Sequence, residues 1–215
     1  MAVVDDDAER TLPLSEVVAG YESFCWPVRK FFWSRIKQAI SLGRLTDGMK
    51  VLDVGCGNAY LFREIRLQGK NCKLVGVDIN ENVRKLSIPG CEFRVIGCGT
   101  KLPFKENSFD AVYALDSLEH IKNAKKAIGQ IRRVLKPRGK LIITAPTENL
   151  FYRFCRFVTY GTLERGEGMG THHHTAKSLD RDIRAGGFVM EKTASLPLFA
   201  PFCLVRAVRY RNDKK

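Results

Sequence analysis

The sequence predicts an α/β protein built on a seven-stranded, mostly parallel sheet with helices on both faces, and three observations predict it. Short apolar segments alternate with segments of helical period from Lys50 to Ala145. The first apolar segment runs straight into a glycine turn, Asp53-Val-Gly55-Cys56-Gly57-Asn-Ala59-Tyr60. The last two apolar segments follow each other with no helix between them. Alternation of this kind gives parallel strands joined by right-handed crossovers. Two strands in direct succession give an antiparallel hairpin instead.

Taken in order, residues 26 to 42 read as an amphipathic helix, with Val28, Phe32, Ile36, Ala39 and Ile40 on one stripe and Gly43 as its stop. Arg29, Lys30, Phe31, Trp33, Arg35 and Lys37 give this helix more aromatic and basic surface than one buried stripe requires. It packs as a lid, or it inserts shallowly at a membrane surface. Strands follow at Val51 to Val54, Leu74 to Val77, Phe93 to Ile96, Ala111 to Ala114 and Lys140 to Ala145. Helices lie at Ala59 to Leu67, Glu81 to Leu86 and Ile121 to Leu135, the last carrying Ile121, Ala124, Ile128, Ile131 and Leu135 on one face. Lys136-Pro137-Arg138-Gly139 reads as a helix stop and turn. The hairpin strands are Phe188 to Thr193 and Phe202 to Tyr210.

The glycine turn carries the chemistry. Gly55 and Gly57 allow a ligand to approach the main chain at the mouth of the next helix, and Asp53 supplies negative charge beside it. A dinucleotide fingerprint needs a third glycine where this chain has Tyr60, and a pyrophosphate would be repelled by Asp53. The expected guest is therefore nucleotide-like and partly cationic. The second strand ends in Asp78-Ile79-Asn80, 25 residues after Asp53, the distance of one crossover and a return strand. A carboxylate there accepts from both hydroxyls of a ribose, although alone it would read as a helix cap.

These residues resemble the first motif of the class I S-adenosylmethionine-dependent methyltransferases, and the resemblance continues to about residue 146. The small-molecule and quinone-modifying branch carries a segment similar to Leu115-Asp116-Ser117-Leu118-Glu119-His120. The resemblance implies a Rossmann-like sheet of order 3-2-1-4-5-7-6 and S-adenosylmethionine as cofactor. It implies that Asp53, Gly55, Cys56, Gly57, Asp78, Ile79, Cys98, Gly99 and Leu115 form the cofactor site. Ile79 and Leu102 would lie against the adenine, Leu115 near the methionine portion, and Asp116 would point toward the methyl-transfer cavity as a catalytic residue. Two positions depart from the family pattern. Ala59 stands where a glycine is usual, leaving slightly less room beside the cofactor. Cys98 stands where an Asp accepts from the adenine amino group, and a thiol is a weaker acceptor.

The layout expected is one domain over residues 1–215: an N-terminal helical cap (1–45), a cofactor-binding core (46–146), a substrate lid insert (147–176), and a terminal helix and hairpin (177–215). The insert holds Phe151, Tyr152, Arg153, Phe154, Arg156, Phe157 and Tyr160, then a glycine-rich run to Gly170 and His172-His173-His174. Three adjacent histidines cannot all face one metal from a regular element, so no metal site is expected. His173 is the candidate acid/base, against a reading of all three as exposed loop residues.

Composition sets the remaining expectations. Seven cysteines without a Cys-x-x-Cys pair fit reduced thiols. No apolar run approaches the roughly 20 residues of a membrane span, and the acidic start is unlike a secretory signal, so a soluble cytoplasmic protein is expected. The formal net charge is +13, and since residues 1 to 26 carry −5, the rest carries +18. Residues 121 to 140 hold eight Lys or Arg and no acid, either a solvated surface or a docking face for an anion. The activity expected is methyl transfer to a small-molecule or lipid-like acceptor by a monomer or weak homodimer, with peripheral contact to an anionic membrane. An RNA or protein methyltransferase is the alternative, against which the chain lacks an Asn/Asp-Pro-Pro-Tyr segment after the fourth strand. A non-catalytic binding module is the second alternative.

Overall fold

The computed structural model describes residues 26–147, 172–196 and 205–214. The N-terminal acidic segment, most of the lid insert and the start of the last strand at Phe202 lie outside these residues. The elements are α1 (Trp26–Gly43), β1 (Lys50–Val54), α2 (Tyr60–Leu67), β2 (Lys73–Asp78), β3 (Cys91–Val95), β4 (Phe109–Leu115), α3 (Ala124–Val134), β5 (Leu135–Pro146), α4 (Ala176–Ala185), β6 (Phe188–Leu196) and β7 (Val205–Asn212). Short 3₁₀ turns occupy Glu81–Lys85 and Leu118–His120.

The strands form one sheet of order β3-β2-β1-β4-β5-β7-β6. The β1–β2, β2–β3, β1–β4 and β4–β5 pairs are parallel, while β7 runs antiparallel to β5 and β6. This is the predicted order and hairpin. Side chains alternate across the sheet as a period of two demands. Leu52, Val54, Val112, Ala114, Leu141, Ile143, Val208 and Tyr210 form one core with α3 and α4. Val51, Ala111, Tyr113, Ile142 and Ala207 meet Ile36, Ala39 and Ile40 of α1 and Leu61, Phe62 and Ile65 of α2 on the other face. Burial on both faces explains why the strands read as continuous apolar runs.

The boundaries that differ most from the sequence reading lie between β4 and β5. The helix predicted from Ile121 starts only at Ala124, where the Asn123 side chain accepts from the Lys126 amide at 3.1 Å. Leu135 has left the helix and pairs with Phe109. The segment expected as a turn belongs to β5 and forms an irregularity in it: while β4 advances from Phe109 to Ala111, β5 advances from Leu135 to Lys140. Arg138 takes a left-handed φ of 61° there. Tertiary partners stabilise this path. Lys136 donates to Asp110 at 2.7 Å, and the Asn212 amide reaches the carbonyls of Leu135 and Lys136 at 3.4 and 3.1 Å.

The basic stretch 121 to 140 is likewise drawn partly into the fold. Arg133 donates to the carbonyls of Phe104 and Leu102, both at 2.8 Å, and Lys140 donates to Gly43 at 2.8 Å. With Lys136 committed to Asp110, three of the eight cations act as fasteners between elements.

Candidate active site

The site assembles at the C-terminal edge of β1, β2 and β4, where the strand order reverses direction and parallel sheets bind ligands. The glycine turn is held to β2 by main-chain bonds, Gly55 and Cys56 both donating to the Val77 carbonyl at 2.8 and 3.1 Å. Gly55 sits at φ 80° with the Ser117 Cβ against it, so a side chain there would be both strained and crowded. Gly57, at φ 47°, has no neighbouring atom within 4 Å of where a Cβ would stand. That open space is a cradle for a ligand approaching the main chain.

Asp78 organises the corner. Its carboxylate accepts from the Gly57 amide at 2.8 Å and the Asn80 amide at 2.9 Å, joining the β1 and β2 loops through one side chain. Asp53 is 3% exposed, and its Oδ1 has no hydrogen-bond partner. Burial, reinforced by the charge of Asp78, pushes the Asp53 carboxyl up to about 8. An unsatisfied buried acid oxygen beside a second acid calls for a donor or a cation. Both acids and the open Gly57 cradle fit a cationic nucleoside such as S-adenosylmethionine and oppose a pyrophosphate.

Cys56 is committed to the fold. Its amide is on Val77, and its thiol lies so close to Gly76 that a Cβ on that residue would fall 2.8 Å from it. Burial, with Asp53 and Asp78, pushes the thiol upward, so it stays protonated. Cys56 therefore shapes the turn rather than offering a ligand donor. Ile79 is half-buried beside Asp78. The Ile96 amide donates to the Asp78 carbonyl at 2.8 Å, which carries the Cys98 loop to the same corner. There the Cys98 thiol sits 2.9 Å from the Thr100 hydroxyl, and Gly99 is closed over by Ile121. Leu102 does not share this surface: it is 3% exposed within the core beneath α3.

Ala59 takes φ 57°, ψ 32°, the left-handed conformation that explains the usual glycine. Its methyl is fully buried among Tyr60, Leu61 and Phe62 and their neighbours. The expectation of lost room beside the cofactor is replaced by backbone strain.

At the end of β4, Leu115 is half-buried and Asp116 turns into a left-handed φ of 51°. The Asp116 carboxylate accepts from the Thr144 hydroxyl at 3.0 Å and pairs with Arg35 of α1. The Arg35 guanidinium lies over the Phe31 and Phe32 rings at 5.9 and 5.1 Å and is 8% exposed. Ser117 donates to the Val54 carbonyl at 2.7 Å, fastening this loop to β1. Arg35, Thr144 and Ser117 were not predicted. No local pattern marks them, because their partners are 28 to 81 residues away in sequence.

The histidines separate. His173 and His174 both donate main-chain N–H to the Glu119 carbonyl, at 2.8 and 3.3 Å. The His174 ring reaches the Lys122 carbonyl at 3.3 Å, and His173 is exposed. It is His172 that turns to the β4 edge, its ring 4.8 Å from that of His120. Glu119, His120 and His172 bring their donor atoms within 4.8 Å of one another, the set among the described residues that could hold a divalent ion. Sequence spacing could not show this, because two of the three donors come from the post-β4 turn.

Residues 52–143 match the pattern of a family described as a methyltransferase domain. Over these residues the chain is similar to methyltransferase domains. Among curated relatives, the domain and its flanks are similar to sterol 4-C-methyltransferase strm-1 of Caenorhabditis elegans, 36% identical over 46% of this chain and 31% of that protein. Cycloartenol-C-24-methyltransferase of Arabidopsis thaliana is 31% identical over 76% of this chain and 53% of its own. The chain thus spans about a third to just over a half of the length of these curated relatives. Among solved structures, an S-adenosylmethionine-dependent methyltransferase from Mesorhizobium loti shares the fold of the domain with TM-score 0.64, 14% identity and coverage of 84% and 97% of the two chains. The [4+2]-cyclase SpnF shares it at 0.67, with 20% identity and coverage of 85% and 81%.

Proposed function

We propose that this chain transfers a methyl group from S-adenosylmethionine to a small-molecule or lipid-like acceptor. The observation that carries the cofactor half is the pair Asp53 and Asp78 around the open Gly57 cradle. The acceptor half is supported by the sterol-modifying relatives and by the Phe31 and Phe32 rings of α1, which flank the Arg35 guanidinium that pairs with Asp116.

When bound, S-adenosylmethionine supplies a methyl carbon already made electrophilic by its sulfonium, so the protein's work is alignment and exclusion of water. Asp78, held by two amides, keeps lone pairs free for ribose hydroxyls. Asp53, ionised by a cationic guest, answers its charge. Ile79 offers an apolar face to the adenine, the main chain of Cys98 and Gly99 bounds it, and Leu115 lines the methionine side. Asp116, paired with Arg35 and Thr144, positions the α1 cap against the β4 edge. It becomes a proton acceptor only where an acceptor displaces Arg35. For a hydroxyl acceptor the base is better sought at His172, which faces His120, than at exposed His173.

The test is calorimetry with S-adenosylmethionine and S-adenosylhomocysteine, followed by release of S-adenosylhomocysteine with sterols, quinone precursors, phenols and lipid amines. Micromolar binding and acceptor-dependent release are expected. Absence of heat for either ligand would identify a non-catalytic module, the reading that Cys98 favours. Heat without methyl release from any acceptor would place the chain with fold relatives of other chemistry, as the cyclase illustrates. Single replacement of His172 and His173 by Ala separates their roles: turnover falls for the residue that moves the proton and stays level for the other.

A further inference from the structure

We propose that the outward face of α1 docks the protein on an anionic lipid surface; this rests on the reading of the acceptor as lipid-like. The helix is WPVRKFFWSRIKQAISLG, with no acidic residue. Its inward face is occupied: Ile36, Ala39, Ile40 and Leu42 are each at most 2% exposed. The opposite stripe carries Trp26, Lys30 and Lys37, spaced by four and seven residues, and all three are exposed, Trp26 at 63%. Arg29 adds a cation in the first turns, and Arg44 follows the helix end, both exposed. Trp33, half-buried with its ring edge-on to Tyr60 at 5.6 Å, borders the stripe.

A Trp ring and long-stemmed Lys and Arg side chains side by side are the chemistry that settles at the boundary between headgroups and acyl chains. Each cation is attracted to an anionic leaflet, and no acid on the helix itself opposes that attraction. The Lys30 ammonium stands 5.4 Å from the Trp26 ring, so aromatic and cation already form one patch. Buried acid-seeking cations do not contribute: Arg35, on the other side of the same helix, holds Asp116 at the acceptor edge of the sheet. That linkage gives the docking a use. A helix lying on a bilayer through Trp26, Lys30 and Lys37 places the Arg35–Asp116 edge about one helix diameter, roughly 10 Å, from the surface, where a lipid-like acceptor is drawn. No described helix is long and apolar enough to cross the membrane, so contact is with one leaflet.

The chain offers its own reporter, because both of its tryptophans, Trp26 and Trp33, lie on α1. The full chain is mixed with vesicles of phosphatidylglycerol and phosphatidylcholine in equal parts, and with phosphatidylcholine alone. Flotation and a blue shift of tryptophan emission are expected with the anionic vesicles only, both weakening as salt rises. The double charge reversal K30E/K37E, on exposed positions, should weaken partitioning by more than about tenfold. Trp26→Ala should remove most of the blue shift while circular dichroism stays unchanged. No flotation with anionic vesicles, binding indifferent to K30E/K37E, or binding to a single-stranded oligonucleotide with no binding to vesicles would each overturn the proposal. Neither readout requires cofactor or turnover. Flotation without methyl release therefore leaves the docking standing and removes the proposed reaction, and the reverse result does the opposite.

Discussion

Ala59 shows how one residue can satisfy two demands imperfectly. A non-glycine residue in the left-handed region costs about 1 kcal/mol or more, and the Ala59 methyl recovers part of that by filling the core beside Tyr60 and Phe62. Ala59→Gly should therefore leave stability level or raise it by up to about 1 kcal/mol in urea melts. Affinity for S-adenosylmethionine should not change, since the methyl faces the core. A several-fold gain in affinity would show that the methyl crowds the ligand after all. Cys98 gives the contrasting case. Its thiol is engaged with the Thr100 hydroxyl at the corner where an acid is usual. Cys98→Asp should tighten cofactor binding roughly fivefold, the value of about one net hydrogen bond, in calorimetry. The acids and glycines of this corner were legible because they stand in two short contiguous runs, residues 53 to 59 and 78 to 80. Arg35, Ser117 and Thr144 were not, because what makes them functional is a partner on another element.

Among the elements, α1 is the one whose role the sequence left open between a lid and a surface helix. The structure gives it a buried face against the sheet and an ion pair to Asp116, while its outer face keeps its cations exposed. Arg35→Ala would leave the left-handed, partly exposed Asp116 without its cation and remove the stacking on Phe31 and Phe32. The expected loss is about 2 kcal/mol, below that of a fully buried pair because the Asp116 side chain retains solvent contact. Arg35→Lys should restore part of the stability but not the ring contacts. Equal stability of wild type and Arg35→Ala would show that the pair does not anchor the helix. The β5 boundary makes the complementary point. Pro137 and Gly139 gave a sound local reason for a turn. Lys136 on Asp110 and Asn212 on the adjacent carbonyls overrode it from 26 and 76 or more residues away.

At the scale of the whole molecule, buried Asp53 and half-buried Asp110 set opposite limits to stability across pH. Burial alone would raise Asp110, but the Lys136 hydrogen bond and the Lys50 amide outweigh it and hold the carboxyl below its ordinary value of 3.8. A lowered folded value stabilises above the unfolded value and is lost as pH falls through the folded one, so Asp110 contributes to acid unfolding. Asp53 has the reverse sign. Its folded value of about 8, against 3.8 ordinarily, means that its contribution is fully present below pH 4 and is lost as pH rises through 8. Without ligand, the protein should therefore weaken between about pH 4 and pH 8. Asp53→Asn should flatten that decline and raise the melting temperature at pH 8 by several degrees. A cationic cofactor changes the balance, because it stabilises the ionised carboxylate and expels the proton. Calorimetry at pH 7 in two buffers of different ionisation enthalpy should show nearly one proton released per S-adenosylmethionine bound, with affinity rising toward pH 8. Asp53→Asn should abolish the release and weaken binding. Proton release that persists in Asp53→Asn, or none in the wild type, would mean that the buried acid of the opening motif is not what meets the sulfonium ligand.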